Sequence, residues 1–201
     1  MHTLYASPLT CSLAPHALLL EHDVPHEVRY VRRGPGRLAV DEALARLDPR
    51  RKVPTLVLPD GEVLGEMVVV LGYLDERYGP ERTPVERRAL TRWLSFLATE
   101  LHKQVLAPAF DADTPAEAVE DARARLLPHV LEVCADAVRQ RQTLLGGPPS
   151  AADAYLWWAL ILLEHRWRAD VPAELAAWRR AVGDRPGWRR ALDEERGLLR
   201  S

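Results

Sequence analysis

The sequence predicts a mixed α/β unit of about eighty residues followed by an all-helical one. Strand-like and helix-like stretches alternate as far as Tyr78 in the order βαβαββα, an order that in so short a span calls for a mixed sheet with helices against it. From Val85 to Ser201 nothing reads as a strand, and apolar residues recur at three- and four-residue steps. Between the two, "GPERTP" breaks the pattern with a glycine and two prolines. The expected division is therefore 1–79, a linker at 80–84, and a helical bundle over 85–201.

"HTLYAS" is short and apolar and reads as the first strand. A helix follows to about His22, with Pro15 in its first turn, where a missing N–H costs nothing. "HEVRYVRR" sets Val28 and Tyr30 against Arg29 and Val31, the alternation of a half-buried strand, and "LAVDEALARL" has helical spacing. "VPTLVLPDGEVLGE" gives two short strands around Pro59-Asp60-Gly61, whose turn chemistry suits a hairpin. A helix from about Glu66 to Tyr78 ends at Gly79-Pro80. In the second part, Leu90, Trp93, Leu94, Leu97, Leu101 and Val105 mark one helix face, and Leu127, Val130, Leu131, Cys134 and Val138 another. Gly146-Gly147-Pro148-Pro149 then breaks the chain before "AYLWWALILL", apolar on every side and so expected at the bundle's centre. Ser150 and Asp153 predict its cap: the serine satisfies an amide of the first turn, and the aspartate reaches back to the Ser150 amide.

The chain has 201 residues, 47% of them apolar, enough for a packed core. Its net charge of -2, from 27 basic and 29 acidic side chains, argues against a polyanionic partner, so neither nucleic acid nor an acidic membrane is expected. No leader, membrane span or lipidation signal stands out, which makes a cytoplasmic location the expectation. Two cysteines do not make a disulfide scaffold. Lys52 and Lys103 are the only lysines, Ile161 the only isoleucine, and asparagine is absent, the codon signature of a GC-rich bacterial genome.

Chemistry concentrates on Cys11. A thiol at the mouth of a helix faces unpaired amides and a partial positive charge, which favour the thiolate and lower its pKa. The plain alternative is a small buried apolar residue. Ala14 stands where a second thiol of a Cys-x-x-Cys pair would be, so dithiol exchange is disfavoured. Single-thiol chemistry remains: a mixed disulfide with a small thiol, or helix-end amides that hold the thiolate of another molecule. Cys134 lies in an apolar stripe and is assigned to the core. In "KVPTL", Pro54 opens a strand to which it cannot donate, and a cis Val53–Pro54 bond turns the Val53 backbone toward an extended, peptide-like ligand. Ser95, Thr99 and His102 fall at i, i+4 and i+7, a polar stripe in which a histidine is suited to hydrogen-bond a thiolate or move a proton near neutral pH. The alternative is a solvated histidine of no consequence. Trp157, Trp158 and Trp167 are read as core.

Cys11 at the first helix, "DPRRKVPTLVL", "DGEVLGE" leading into "YLDERYG", "RWLSFLATELHK", "PSAADAYLWW" and "GDRPGWRRAL" occur in one order over nearly the whole chain. Together they resemble bacterial glutathione transferases, most closely the beta class. The resemblance implies a thioredoxin-like N-terminal domain that binds glutathione, a helical C-terminal domain that covers an apolar electrophile, a homodimer, and a role in detoxification. It also implies site residues: Cys11 near the glutathione sulfur, Val53 beside a cis Pro54 against the cysteinyl part, and Glu66 with Met67 at a helix N-terminus for the γ-glutamyl end. His102 and Lys103 carry over from "ATELHK", and Tyr5 and Lys52 complete the thiol-binding set. Met67 departs from the serine or glycine usual after the glutamate, so glutathione affinity is in question and another low-molecular-weight thiol stands beside glutathione as cosubstrate. Arg32 and Arg33 lie near where the family places a basic residue. No metal is called for. Two rival readings share the fold: an isomerase, ring-opening or elimination enzyme in small-molecule biosynthesis, and a non-catalytic binding or regulatory module.

Overall fold

The computed structural model describes residues 1–34 and 38–200; residues 35–37 of the "RRGPGRLAV" loop and Ser201 lie outside the described residues. The chain forms two compact units, Met1–Glu81 with Asp184–Ser201, and Arg82–Gly183.

The first unit holds a four-stranded sheet of β1 (His2–Ala6), β2 (His26–Tyr30), β3 (Thr55–Val57) and β4 (Val63–Gly65), in the spatial order β2-β1-β3-β4. Central β1 is parallel to β2, with Leu4 opposite Val28, and antiparallel to β3, with Leu4 opposite Leu56. β3 and β4 form the expected hairpin, closed by the Leu58 N–H donating to the Glu62 carbonyl at 2.8 Å. This is the mixed sheet that the alternation predicts. α1 (Leu13–Glu21) makes the crossover from β1 to β2. α2 (Glu42–Leu47) is shorter than "LAVDEALARL" because Asp41 caps it, its carboxylate accepting from the Leu44 N–H at 2.7 Å. α3 (Met67–Tyr78) follows β4 directly.

The end of the chain divides differently from the expected 85–201 block. The helix Pro186–Leu198 packs on α1 and belongs with the first unit. Gly187 permits the contact: a Cβ there would sit 2.3 Å from the Glu21 nitrogen. The Glu21 carboxylate seals it, accepting from the Gly187 N–H at 3.0 Å and pairing with Arg185. An amphipathic pattern says which face a helix buries and is silent about what covers it.

The second unit contains no strand among its described residues. α4 (Pro84–Phe96) starts with a capping box in which Thr83 and Glu86 satisfy each other's amides, with Pro84 in the first turn. The helix continues through Leu97–Leu106 in wider, π-type turns. The helix Leu127–Arg141 packs on this wider stretch. The helix Ala151–Ile161 is buried at every position, and its cap is as the sequence predicts: Asp153 accepts from the Ser150 N–H at 2.7 Å, the Ser150 hydroxyl at 2.6 Å and the Leu144 N–H at 2.9 Å.

Candidate functional site

The first unit gathers its chemistry where β1 ends and α1 begins. The loop Ser7–Ser12 is braced from within: the Thr10 hydroxyl donates to the Ser7 carbonyl at 2.8 Å, and the Ser12 hydroxyl accepts from the Ser7 N–H at 3.1 Å. Both hydroxyls are therefore spent on loop shape. Ser12 stands at the N-cap of α1 and makes no side-chain cap; the Leu13 and Ala14 amides donate to the Thr10 and Cys11 carbonyls at 2.9 and 3.2 Å, and the Cys11 and Ser12 amides face the Cys11 sulfur. Cys11 lies just before that cap, 9% exposed, and its Sγ–H donates to the Val53 carbonyl at 3.3 Å. Val53 is half-buried, Pro54 buried, and the bond between them is cis.

The ionisation of Cys11 corrects the sequence expectation. Burial pushes its thiol up from an ordinary value near 9.0 to about 12. The Arg33 charge, the amides of Cys11 and Ser12 and the Thr10 side chain all pull the other way, as a helix mouth should, and they do not overcome it. Cys11 is thus an acid, held as a proton donor at neutral pH, amid a ready-made set of groups that favour a sulfur anion. Arg33, which the sequence could not align, is the positive charge with the largest effect on that sulfur.

A second cluster sits at the start of α3. Glu66 precedes the helix with φ 65°, its side chain exposed, and Met67 behind it is buried at 6% exposure. The bulk that the sequence suggested at the rim is thereby turned inside. The first amides of a twelve-residue helix are left without intrahelical partners, a suitable seat for a carboxylate. Arg50 approaches Glu66 at 3.4 Å and makes two bonds to the buried Asp48, at 2.9 and 3.0 Å; Asp48 also accepts from the Thr55 hydroxyl at 3.3 Å. Burial opposes the Asp48 carboxylate, but the Arg50 guanidinium and amide with the Thr55 hydroxyl prevail and hold its carboxyl below the usual range. Gly65 must be bare for this: a Cβ would meet Arg50 Nη2 at 1.9 Å. The sequence reading missed Asp48, Arg50 and Thr55; the Asp-Pro-Arg turn, with the Arg50 N–H on the Asp48 side chain at 3.0 Å, was their one local signal.

Tyr5 is placed otherwise than expected. It is 2% exposed in an apolar cluster with Val31, Ala39 and Leu44, its hydroxyl accepting from Arg29 at 3.3 Å, because its register on β1 turns it inward. Val53 packs against that cluster, so Tyr5 bears on the site from beneath rather than meeting solvent. Lys52 is exposed, its carbonyl tied to the Thr55 hydroxyl at 2.8 Å.

In the second unit His102 is half-buried, and Lys103 beside it is exposed. His102 Nδ1 lies 2.7 Å from the Tyr155 hydroxyl, and its ring stands edge-on to Trp158 at 4.8 Å between centroids. A buried tyrosine hydroxyl needs a polar partner, so the one tyrosine of "AYLWWALILL" was the signal for this pair. Within the expected stripe, Ser95 and His102 are half-buried and Thr99 is exposed, its hydroxyl donating to the Ser95 carbonyl at 3.1 Å.

Among the described residues no group of side chains is arranged to hold a metal, and no helix is long and apolar enough to cross a membrane. The family model for the glutathione S-transferase N-terminal domain matches residues 10–77. Over 96% of this chain and 98% of the relative, 31% of residues are identical to glutathione S-transferase GstA of Escherichia coli O157:H7. Two solved structures align with a TM-score of 0.82 and 29% identity, each over 96% of this chain and 98% of the other: a sphingomonad glutathione S-transferase complexed with glutathione, and the bacterial beta class glutathione S-transferase of Sphingomonas chungbukensis. With a mixed sheet that delivers a cysteine to a helix mouth, an all-helical second unit and 31% identity to a glutathione S-transferase over 96% of its length, the chain belongs to the glutathione S-transferase family.

Proposed function

We propose that this protein is a cytoplasmic, homodimeric transferase that binds glutathione, lowers the pKa of its thiol and directs the thiolate at the electrophilic carbon of an apolar small molecule. The observation that carries the reading is the environment of Cys11: a proton-donating thiol beside Val53, where the Cys11 and Ser12 amides and the Arg33 charge favour a sulfur anion. A second sulfur entering there meets donors on several sides, and each hydrogen bond to an anion is worth about 1.5–3 kcal/mol, enough to lower a thiol pKa by one to two units.

In this reading Val53 pairs its backbone with the cysteinyl part of the tripeptide. The first-turn amides of α3 with Glu66 and Met67 take the γ-glutamyl end, its carboxylate on the amides and its ammonium on the Glu66 carboxylate. Lys52 supplies positive charge. His102, oriented by Tyr155, is the second unit's proposed proton-handling group, with Lys103 beside it. The new S–C bond forms as the leaving group departs with its electron pair, and the thiol proton passes to a base. The sphingomonad relative bound to glutathione supports glutathione over other small thiols as cosubstrate.

Calorimetric titration of glutathione into the wild-type protein and a Cys11→Ala variant tests the proposal, followed by turnover of a model aryl halide. Micromolar binding weakened about tenfold or more by Cys11→Ala, with halide release, is the expected result. Absent or millimolar binding overturns it.

A further inference from the structure

Shortly before Val53 the chain passes through Arg51 at φ 53°, the left-handed region that glycine enters freely and a residue with a side chain keeps only if its surroundings hold it there. Its N–H donates to the Asp48 carbonyl at 3.0 Å, and its own carbonyl accepts from the Ala39 N–H at 2.8 Å. The guanidinium turns to the same residue, donating to the Ala39 carbonyl from Nη2 at 2.8 Å and from Nε at 3.1 Å. Arg51 thus grips Ala39 by both of its backbone polar groups. Ala39 is 1% exposed, in the cluster of Tyr5, Val31 and Leu44 against which Val53 packs.

Opposite Ala39 stands Arg33. The two form an antiparallel bridge, flanked by the Gly34 N–H on the Leu38 carbonyl at 2.8 Å and the Val40 N–H on the Arg32 carbonyl at 2.9 Å. Arg33 is exposed, and its positive charge favours an anion at the Cys11 sulfur. A strand pair this short holds poorly by itself, so where its free side points depends on what ties the other side down. Ala39 is the tied side, and a planar guanidinium fork is a stiffer tie than a flexible ammonium.

We propose that Arg51 is a positioning residue of the thiol site: by gripping Ala39 at its N–H and its carbonyl, it holds the arm opposite and so fixes where Arg33 presents its charge to the sulfur beside Val53. The inference deepens the transferase reading above and rests on it for its functional meaning. A guanidinium that ends on a neutral carbonyl, carried by a residue in left-handed backbone, serves geometry at the arm more than charge balance.

The test alkylates the native full-length protein with neutral iodoacetamide or anionic iodoacetate at one fixed pH and reads Cys11 by peptide mass spectrometry. The ratio of the two rates reports positive charge beside the sulfur, because loosening of the fold or a change in the ionised fraction moves both rates alike. Cys134, wholly buried in the other unit, reports global opening. Arg33→Ala is expected to lower the iodoacetate-to-iodoacetamide ratio at Cys11 about threefold, the effect of removing one partly screened charge. Arg51→Gly, which suits the left-handed backbone and removes only the grip, is expected to lower it about two- to threefold with Cys134 still protected. The double variant is expected to match Arg33→Ala, since Arg51 acts through Arg33. Arg51→Gln keeps a weaker neutral donor for the Ala39 carbonyl; a smaller fall in the ratio is expected, and it decides the matter if the glycine variant does not fold. An unchanged ratio in the folded Arg51 variants, both reagents speeding up in equal proportion, or a double variant below Arg33→Ala, which would make the charge of Arg51 itself responsible, overturns the proposal. A wild-type protein that fails to bind glutathione while the ratio responds to Arg51→Gly sinks the transferase reading and leaves the latch. Glutathione binding with an unresponsive ratio sinks the latch alone.

Discussion

If burial outweighs the helix mouth at Cys11, the alkylation rate of that thiol must show it. The perturbation is pH, applied in a Cys134→Ala background so that one sulfur is read. With the thiol at about 12 against an ordinary 9.0, its ionised fraction at pH 7 falls by about a thousandfold, equivalent to about 4 kcal/mol of preference for the protonated form. The logarithm of the iodoacetamide rate should therefore climb with unit slope from pH 7 to beyond pH 10 without levelling, and at neutral pH run far below that of a small free thiol. A plateau near pH 7–8 would refute the reasoning, since it would mean that the amides and Arg33 defeat desolvation after all. The same shift has a consequence for stability. A group whose folded-state pKa is raised contributes stability that is complete below its unfolded value and lost as pH rises toward its folded one, so the contribution of Cys11 fades between about pH 9 and 12. Cys134, also pushed up to about 12 by burial, acts in the same direction. Thermal midpoints that fall less steeply above pH 9 in a Cys11→Ser, Cys134→Ala double variant than in the wild type are the expected outcome; parallel curves contradict it.

Two further predictions follow from local geometry. Asp153→Ala removes a helix cap worth about 1–2 kcal/mol and strips the buried Leu144 amide of its acceptor at about 1–3 kcal/mol, so a loss of about 3 kcal/mol is expected from the urea midpoint, with Asp153→Asn milder; a loss below about 1 kcal/mol contradicts the cap as the unit's anchor. Gly65→Ala drives a methyl into the Arg50 guanidinium and breaks its pair with Asp48, so it should cost at least about 1 kcal/mol more in the wild-type background than in Arg50→Ala; equal costs in the two backgrounds rule out the Arg50 overlap as the reason.

What the sequence disclosed and what it withheld separate by range. The β3–β4 turn, the Ser150–Asp153 cap and Pro15 in the first turn of α1 are written in residues within four positions of each other, so their chemistry is read directly from spacing. Cys11 was visible as a thiol at a helix mouth for the same reason. Its protonation state was not, because desolvation depends on what covers the sulfur, beginning with a carbonyl 42 residues away. Tyr5 enters the expected thiol-binding set through the family resemblance, yet strand register sends it into the cluster under Val53. His102 finds Tyr155 across 53 residues, and Glu195 finds Leu9 across 186. The difference bears on mechanism. A low-pKa cysteine, the inference available locally, attacks or forms a mixed disulfide; a cysteine at about 12 donates a proton and leaves the anion-stabilising amides to a guest. The sequence left both roles open, a mixed disulfide or a seat for another thiolate, and in the proposed reading the protonated sulfur favours the second, where single-sulfur chemistry with a bound thiol gives every group around Cys11 work to do.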